Sequence, residues 1–166
     1  MPSLISLGAQ DIWQESEVQQ HQLGAMGETA DGRVFRYALM GEAITLGYMT
    51  QSPAIDSATV KMAVTAVAAI GAKKIVFTHA ATTSTANEYA EGFVTVSYGT
   101  GIGQTLKISS HAAFTSGGTS SELFLEDPLT VALDTTSRIS LAHNPWKGVL
   151  MDTSVVTCPT GGALRS

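Results

Sequence analysis

The sequence has few charged residues, a single cysteine and no long hydrophobic run, and each shortage excludes a class of protein. Nine lysines and arginines against 14 aspartates and glutamates give a net charge of −5, and charged residues make up only 14% of the chain. A typical soluble domain has about 25%. Broad contact with nucleic acid or with an anionic membrane requires clustered lysine and arginine. We therefore expect neither nucleic acid nor a membrane as a partner.

Cys158 is the only cysteine, which excludes an intrachain disulfide framework and a cysteine-based zinc cluster. No stretch approaches the roughly 20 apolar residues of a transmembrane helix. Residues 1–10 lack the basic start and the apolar run of a signal peptide. The simplest expectation is a single domain, with or without an appendage, that is synthesised and assembled in a reducing cytoplasm.

Residues 1–33 differ in composition from the rest of the chain, because glutamine and glutamate crowd there and glycines interrupt the run. Ile12, Trp13 and Val18 suggest a weak amphipathic turn, but no helical stripe continues from it. Two interpretations remain open: a loosely ordered terminal arm, or an arm that becomes ordered against a partner. In the second interpretation Trp13 and Ile12 are interface residues, since tryptophan is enriched in protein interfaces.

From Gly32 onward, short segments alternate apolar and polar residues with period two, which indicates β-strands. The clearest pair is 93–98 and 104–108, joined by a glycine-rich turn and predicted to form a hairpin. The segment 59–70 is ambiguous, because its alanines favour a helix and its β-branched residues favour a strand; we assign it as a strand. The remaining predicted strands are 34–39, 43–49, 75–78, 122–125, 130–133, 138–141 and 148–151.

Short strands separated by turns predict an all-β fold, a small antiparallel β-barrel or sandwich with an extended N-terminal arm. The predicted organisation is an arm over 1–33, a β domain over 34–156 and a C-terminal tail over 157–166.

The candidate chemical motifs favour structural explanations. The glycines of 99–103 resemble a phosphate-binding loop, but a strand-like segment follows where that motif needs a helix, so we assign them to a turn. Glu126 and Asp127 precede Pro128, which is ordinary turn chemistry and short of the ligand count of a calcium site. The sequence contains no Gly-x-Ser-x-Gly motif. We predict no catalytic site, no cofactor and no metal.

The four histidines, His21, His79, His111 and His143, share no metal-ligand spacing. They are expected in loops or at strand ends, although a pair on different strands could still meet in space. Trp146 follows Asn144 and Pro145 in a predicted turn. It either caps the open end of the barrel or anchors a protein interface.

Three phrases carry a resemblance to a known family: DGRVFRYALMGEAITLG at 31–47, NEYAEGFVTVSYGTGIGQTLKISSH at 87–111 and LFLEDPLTVALDTTSRISLAHNPWKGV at 123–149. Together they resemble a family of structural proteins of tailed bacteriophages, associated with head decoration, or cement, proteins.

The resemblance implies a non-enzymatic virion protein on the capsid exterior, bound to the major capsid protein and in contact with other copies of itself. Such a protein stabilises a capsid by bridging its subunits. Two other classes stay open: a receptor- or carbohydrate-binding head domain, favoured if aromatic residues line a groove, and a tail or neck component.

Overall fold

The fold is all-β, as predicted. The computed structural model describes residues 5–7, 14–45, 48–79, 83–118, 120–152 and 161–162. Within those residues there is no α-helix, and the one helical element is a short 3-10 turn at Ser57–Thr59. The strands are β1 (Ile5–Leu7), β2 (Met26–Thr29), β3 (Val34–Arg36), β4 (Leu39–Met40), β5 (Met49–Gln51), β6 (Met62–Ala63), β7 (Lys74–Phe77), β8 (Phe93–Tyr98), β9 (Thr105–His111), β10 (Ser121–Leu125), β11 (Arg138–Ala142), β12 (Lys147–Asp152) and β13 (Gly161–Gly162).

The described residues form two compact units. One, the barrel unit, comprises 55–144, and the other, the terminal unit, combines 1–54 with 145–166. This division differs from the predicted one, because the boundary between arm and β domain at residue 33 falls inside a hairpin of β2 and β3. Both ends of the chain contribute strands to the terminal unit, which local composition does not reveal.

The barrel unit contains a six-stranded, nearly closed antiparallel sheet in the order β6-β11-β8-β9-β10-β7. Its two ends approach each other, since the amide of Thr65 donates to the Val76 carbonyl over 2.9 Å and the amide of Thr78 donates to the Ala63 carbonyl over 2.9 Å. Closure of this kind pairs the edge strands that an open sheet would expose to other chains.

The core of the barrel unit follows from alternation along its strands. In β8, Val94 and Val96 are buried, and in β11 the same is true of Ile139 and Leu141. Successive side chains of a strand point to opposite faces, so every second residue faces the interior. The buried cluster includes Ile75, Phe77, Ile108, Phe114, Leu123, Leu125, Leu129 and Leu133.

The predicted hairpin is confirmed as β8 and β9, which pair antiparallel with Val94 opposite Leu106. Its turn has positive φ angles at Gly99 (80°), Gly101 (80°) and Gly103 (91°). Side chains strongly disfavour this backbone region, which explains the glycines as turn residues.

Three predicted strands are largely wrong, and one of them is 43–49, of whose described residues only Met49 belongs to a strand, β5. In 59–70 the only β pairing is that of β6 and of isolated bridges at Val64 and Ala68. The 3-10 turn at Ser57–Thr59 and the positive φ of Lys61 (+59°) interrupt an extended backbone before β6. In 130–133 only Leu133 forms a bridge, opposite Ala68. Outside β6, the segments 59–70 and 130–133 are irregular and are held together by backbone hydrogen bonds between Ala68 and Leu133.

The terminal unit contains two further sheets. One is three-stranded, in the order β1-β2-β3, and the other has the order β13-β5-β12-β4. Only part of the predicted arm lies exposed on the surface. Residues 14–22 are exposed, whereas Leu23, Gly27 and Thr29 are buried. Arg36 fixes the start of β2, because its guanidinium donates to the Gly24 carbonyl over 2.8 Å.

Candidate functional site

Trp146 lies in the predicted turn, directly before β12, and it lines an open cleft of the terminal unit. The cleft has a volume of about 270 Å³ and is lined by Thr50, Gln51, Ser52, Pro145, Trp146 and Val149. The carbonyl of Trp146 accepts the amide of Leu39 over 2.8 Å, which fixes the turn to β4. The indole is half-buried, so one part of it packs within the unit while another part borders the cleft.

Gly24 supports the indole from inside the unit. A Cβ atom at this position would lie 2.7 Å from Cδ1 and 3.1 Å from Nε1 of Trp146, and the φ of Gly24 is +81°. Only glycine satisfies both demands without moving the indole. In the sequence Gly24 is one of the glycines that interrupt the polar arm, and no local pattern links it to a tryptophan 122 positions later.

Apolar side chains flank the cleft on the strands beside β12. Leu39 and Met40 of β4 are 43% and 50% exposed, and Met49 of β5 is 40% exposed. Leu39 and Met40 are successive residues of one strand, so their side chains point to opposite faces of the sheet. The other two interface residues named from the sequence, Ile12 and Trp13, lie outside the described residues.

A second candidate site is an aromatic cluster in the barrel unit that contains three of the four histidines. The ring of Phe114 lies 4.6 Å from that of His79 and 5.4 Å from that of His111, and the ring of Tyr89 stacks on that of His143 at 4.3 Å. The sequence left open that histidines could meet across strands. The structure brings these three into one cluster, 32 or more residues apart in sequence.

The contacts of His111 define a neutral imidazole. Its Nε2 accepts the backbone amide of Tyr89 over 2.9 Å, so that nitrogen carries no proton, and Nδ1 donates to the Ala112 carbonyl at 2.8 Å. The ring is buried. Burial raises the pKa of the neighbouring Tyr89 hydroxyl, and the carboxylate of Glu88 acts in the same direction. The raised pKa favours the neutral form of the Tyr89 hydroxyl.

His79 forms a hydrogen bond with Ser121, with 2.6 Å between Nε2 and Oγ. Such a pair is the minimum for an activated serine, in which a third group normally orients the imidazole. Within the described residues Nδ1 of His79 has no hydrogen-bond partner. The ring is 2% exposed, and Gly118 lies so close that a Cβ there would be 2.8 Å from Nε2. We assign the pair to core packing; the absence of a catalytic site stays a prediction.

The described residues contain no group of three or more histidine, cysteine or acidic side chains that could hold a metal ion. The predicted turn at Glu126 and Asp127 lies directly after β10. The Glu126 carboxylate there is 3.0 Å from Nζ of Lys107, and its carbonyl accepts Nζ of Lys73 over 2.7 Å. The ion pair with Lys107 gives the Glu126 carboxylate a structural role in this turn.

Comparison with known proteins returned no match: no family model, no curated protein and no solved structure resembles the chain significantly. Among the described residues, no helix has the length and hydropathy that crossing a bilayer would require.

Proposed function

We propose that this chain is a structural protein of a tailed-bacteriophage particle, which decorates the capsid exterior and stabilises it by bridging copies of the major capsid protein. The three phrases between residues 31 and 149 that resemble the decoration family motivate the assignment. In this proposal the protein is not an enzyme, needs no cofactor and acts on the surface of the virion.

The observation that carries the proposal is the cleft at Trp146 together with its exposed apolar surroundings. A half-buried tryptophan held by Gly24 needs little reordering on binding, which favours affinity because less side-chain entropy is lost. Weak contacts of this type gain from repetition, since a protein that engages several lattice subunits at once binds with a raised effective concentration.

The decisive experiment counts copies of the protein on purified particles and then removes them. Decoration predicts hundreds of copies distributed over the shell, and particles stripped of the protein should release their genome at a lower temperature than decorated ones. Restoring the purified protein should restore the release temperature. Stripped particles that are as heat-resistant as decorated ones would refute the cement role.

A receptor- or carbohydrate-binding role is the second candidate, and one observation favours it. The same cleft combines an indole with the polar side chains of Thr50, Gln51 and Ser52, and ligand sites commonly join an aromatic surface to a few polar groups. Titration of the full chain with a panel of glycans, followed by tryptophan fluorescence, distinguishes the two roles. Saturable quenching that is absent in Trp146→Ala would favour glycan binding.

A further inference from the structure

The segment 84–92, which we call the 84–92 loop, precedes β8 and is held against the end of β9 by one residue, His111. The amide of Asn87 donates to the His111 carbonyl over 3.0 Å, and the amide of His111 donates to Oδ1 of Asn87 over 3.0 Å. The amide of Tyr89 donates to the imidazole Nε2 of His111 over 2.9 Å. The middle of the loop therefore depends on a side chain that can take up a proton.

The ends of the loop are fixed independently of His111, and its backbone is strained between them. Ser84 and Phe114 exchange two backbone hydrogen bonds of 2.8 and 3.0 Å, and the amide of Glu91 donates to the Ile108 carbonyl over 2.9 Å. Asn87 and Glu91 have φ angles of +60° and +62°, a region that residues with side chains rarely adopt. Strain of this kind persists only while surrounding contacts hold it in place.

The bond to Tyr89 requires a neutral imidazole. Nδ1 of His111 already donates to the Ala112 carbonyl over 2.8 Å, so a second proton would enter at Nε2 and point at the amide hydrogen of Tyr89. The ring is 3% exposed, so a cationic form would also lose its hydration. Protonation of His111 and the closed loop therefore exclude each other.

The groups packed against His111 are mostly uncharged. The Tyr89 ring lies 5.7 Å from its ring and the Phe114 ring 5.4 Å, the residue opposite it on β10 is Leu123, and the segment 112–118 contains no charged residue. The titratable groups of the surrounding segments are three acids and two histidines: Asp56, Glu88, Glu91, His79 and His143. Asp56 and Glu88 act on the Tyr89 hydroxyl, and Oε2 of Glu88 accepts the Thr85 amide over 2.9 Å.

We infer that His111 is a pH-sensitive switch for the 84–92 loop. In mild acid the imidazole takes up a proton at Nε2, the bond to the Tyr89 amide breaks, and the middle of the loop opens while its ends stay bonded to the barrel. A histidine in contact with water takes up this proton near pH 6.5. Because only the open form binds the proton, the closed form loses stability as the pH falls below that value.

Opening exposes Tyr89, which is 2% exposed in the closed form. The switch does not depend on the proposed decoration role, because it concerns the free protein.

The test is amide hydrogen exchange of the full chain, followed by NMR from about pH 7.5 to about pH 5, a range that brackets the ordinary titration of histidine. Each rate is divided by that of an unfolded chain at the same pH, which gives a protection factor. The amide of Val96, which donates to the Gln104 carbonyl in the hairpin, reports on global unfolding. The test variant is His111→Gln, whose side-chain oxygen accepts a hydrogen bond but does not titrate. The matched control is His143→Gln, which removes another histidine of the aromatic cluster.

We expect the protection factor of the Tyr89 amide to fall about tenfold per pH unit below about pH 6, while that of Val96 does not follow it. The same fall should occur in His143→Gln and be absent in His111→Gln. Protection at Tyr89 that is independent of pH overturns the inference. So does a fall that persists in His111→Gln, which would assign it to another group, or an equal fall at Val96, which would indicate global unfolding.

The imidazole ¹⁵N spectrum of the unmodified chain gives a second measurement that does not require His111→Gln to fold. Protonation of His111 that coincides with the loss of protection at Tyr89 supports the switch. A protonated His111 beside a Tyr89 amide that stays protected overturns it.

Discussion

Several buried polar side chains of the barrel unit form hydrogen bonds that hold its loops in place. The hydroxyl of Ser137 donates to the Thr100 carbonyl over 2.7 Å, which joins the loop before β11 to the hairpin turn. The side-chain amide of Asn144 donates to the Glu91 carbonyl over 3.0 Å, whereas Nε2 of His111 accepts the backbone amide of Tyr89 over 2.9 Å. Buried polar groups are stabilising only when they are paired, so these residues tie the loops to the barrel.

His111→Leu should destabilise the chain, because it leaves the Tyr89 amide buried without its acceptor. The expected loss is about 1–3 kcal/mol of unfolding free energy for the unsatisfied group, measured by urea denaturation. His111→Gln carries both a donor and an acceptor and should lose less. Equal losses in the two variants would mean that ring packing, and not the hydrogen bond, accounts for the effect.

Asp134 makes a pH-dependent contribution. Hydrogen bonds from Thr100 and Thr136 lower the pKa of its carboxyl from the ordinary 3.8 to about 2. Because the folded state binds this proton less tightly than the unfolded chain, the stabilisation is present above pH 3.8 and is lost as the pH falls toward 2.

We therefore expect the unmodified chain to unfold at higher denaturant concentration than Asp134→Asn above about pH 5, with the difference shrinking between about pH 4 and pH 2. Asp127→Asn serves as the control on an exposed carboxylate. A gap that stays constant over that range would show that the hydrogen bonds do not favour the ionised carboxylate.

At the scale of elements, the strands that the sequence predicted well are those with strong local signals. The strand 93–98 was placed with its bounds, because five of its six residues are apolar, aromatic or β-branched and a glycine turn follows. The strands predicted at 59–70 and 130–133 were largely wrong, because the two segments pair with each other only at the bridge between Ala68 and Leu133. An alternation of apolar and polar residues with period two does not distinguish a continuous β-strand from a segment that forms only an isolated β-bridge.

The hairpin turn offers a matched pair of glycines for testing. Both Gly99 and Gly103 have positive φ, but a Cβ at Gly99 would clash with the Thr136 carbonyl, whereas nothing lies within 4 Å of one at Gly103. Gly99→Ala should therefore cost about 1–3 kcal/mol more than Gly103→Ala, the range of an overpacked site. Urea denaturation of the two variants measures the difference. Equal costs would mean that backbone strain alone is responsible and that the Thr136 loop moves aside.

At the scale of the whole molecule, the pairings that build the terminal unit join distant segments, and the sequence did not predict them. β12 pairs with β4 and β5, about a hundred residues earlier, so no local pattern connects Trp146 to Thr50 or to Gly24. The tryptophan itself was singled out for its residue type and its turn. The residues that surround Trp146 in the cleft come from distant segments, and only the strand topology of the terminal unit brings them together.

The division of the N-terminal segment into an exposed part and a hairpin predicts where a protease cuts the free protein. An endoprotease that cleaves after glutamate should cut rapidly after Glu15 and Glu17, which are exposed, and slowly after Glu28, which lies in β2. Strand pairing protects a bond because cleavage requires local unfolding. Mass spectrometry over a time course identifies the bonds. Cleavage at all three at one rate would mean that the hairpin opens readily.

On assembled particles the bonds after Glu15 and Glu17 should resist the same protease, if the segment becomes ordered against the capsid. Ordering costs about 1–2 kcal/mol per residue, which only new contacts can offset. Equal cleavage on particles and in solution would place the segment outside the interface.

The contribution of Trp146 to particle binding is measured by occupancy. A buried interface tryptophan is worth about 2 kcal/mol or more, which corresponds to roughly a 30-fold loss of affinity per site in Trp146→Ala. Phe124→Ala is the control, since this aromatic residue is 41% exposed and belongs to the barrel unit.

Because the indole also packs on Gly24, the free Trp146→Ala variant must first be shown to unfold at a temperature close to that of the unmodified chain. Reduced occupancy of a folded variant, with Phe124→Ala unaffected, is the expected result. A Trp146→Ala chain that unfolds on its own would make the indole a core residue, and full occupancy by a folded variant would remove the cleft from the interface.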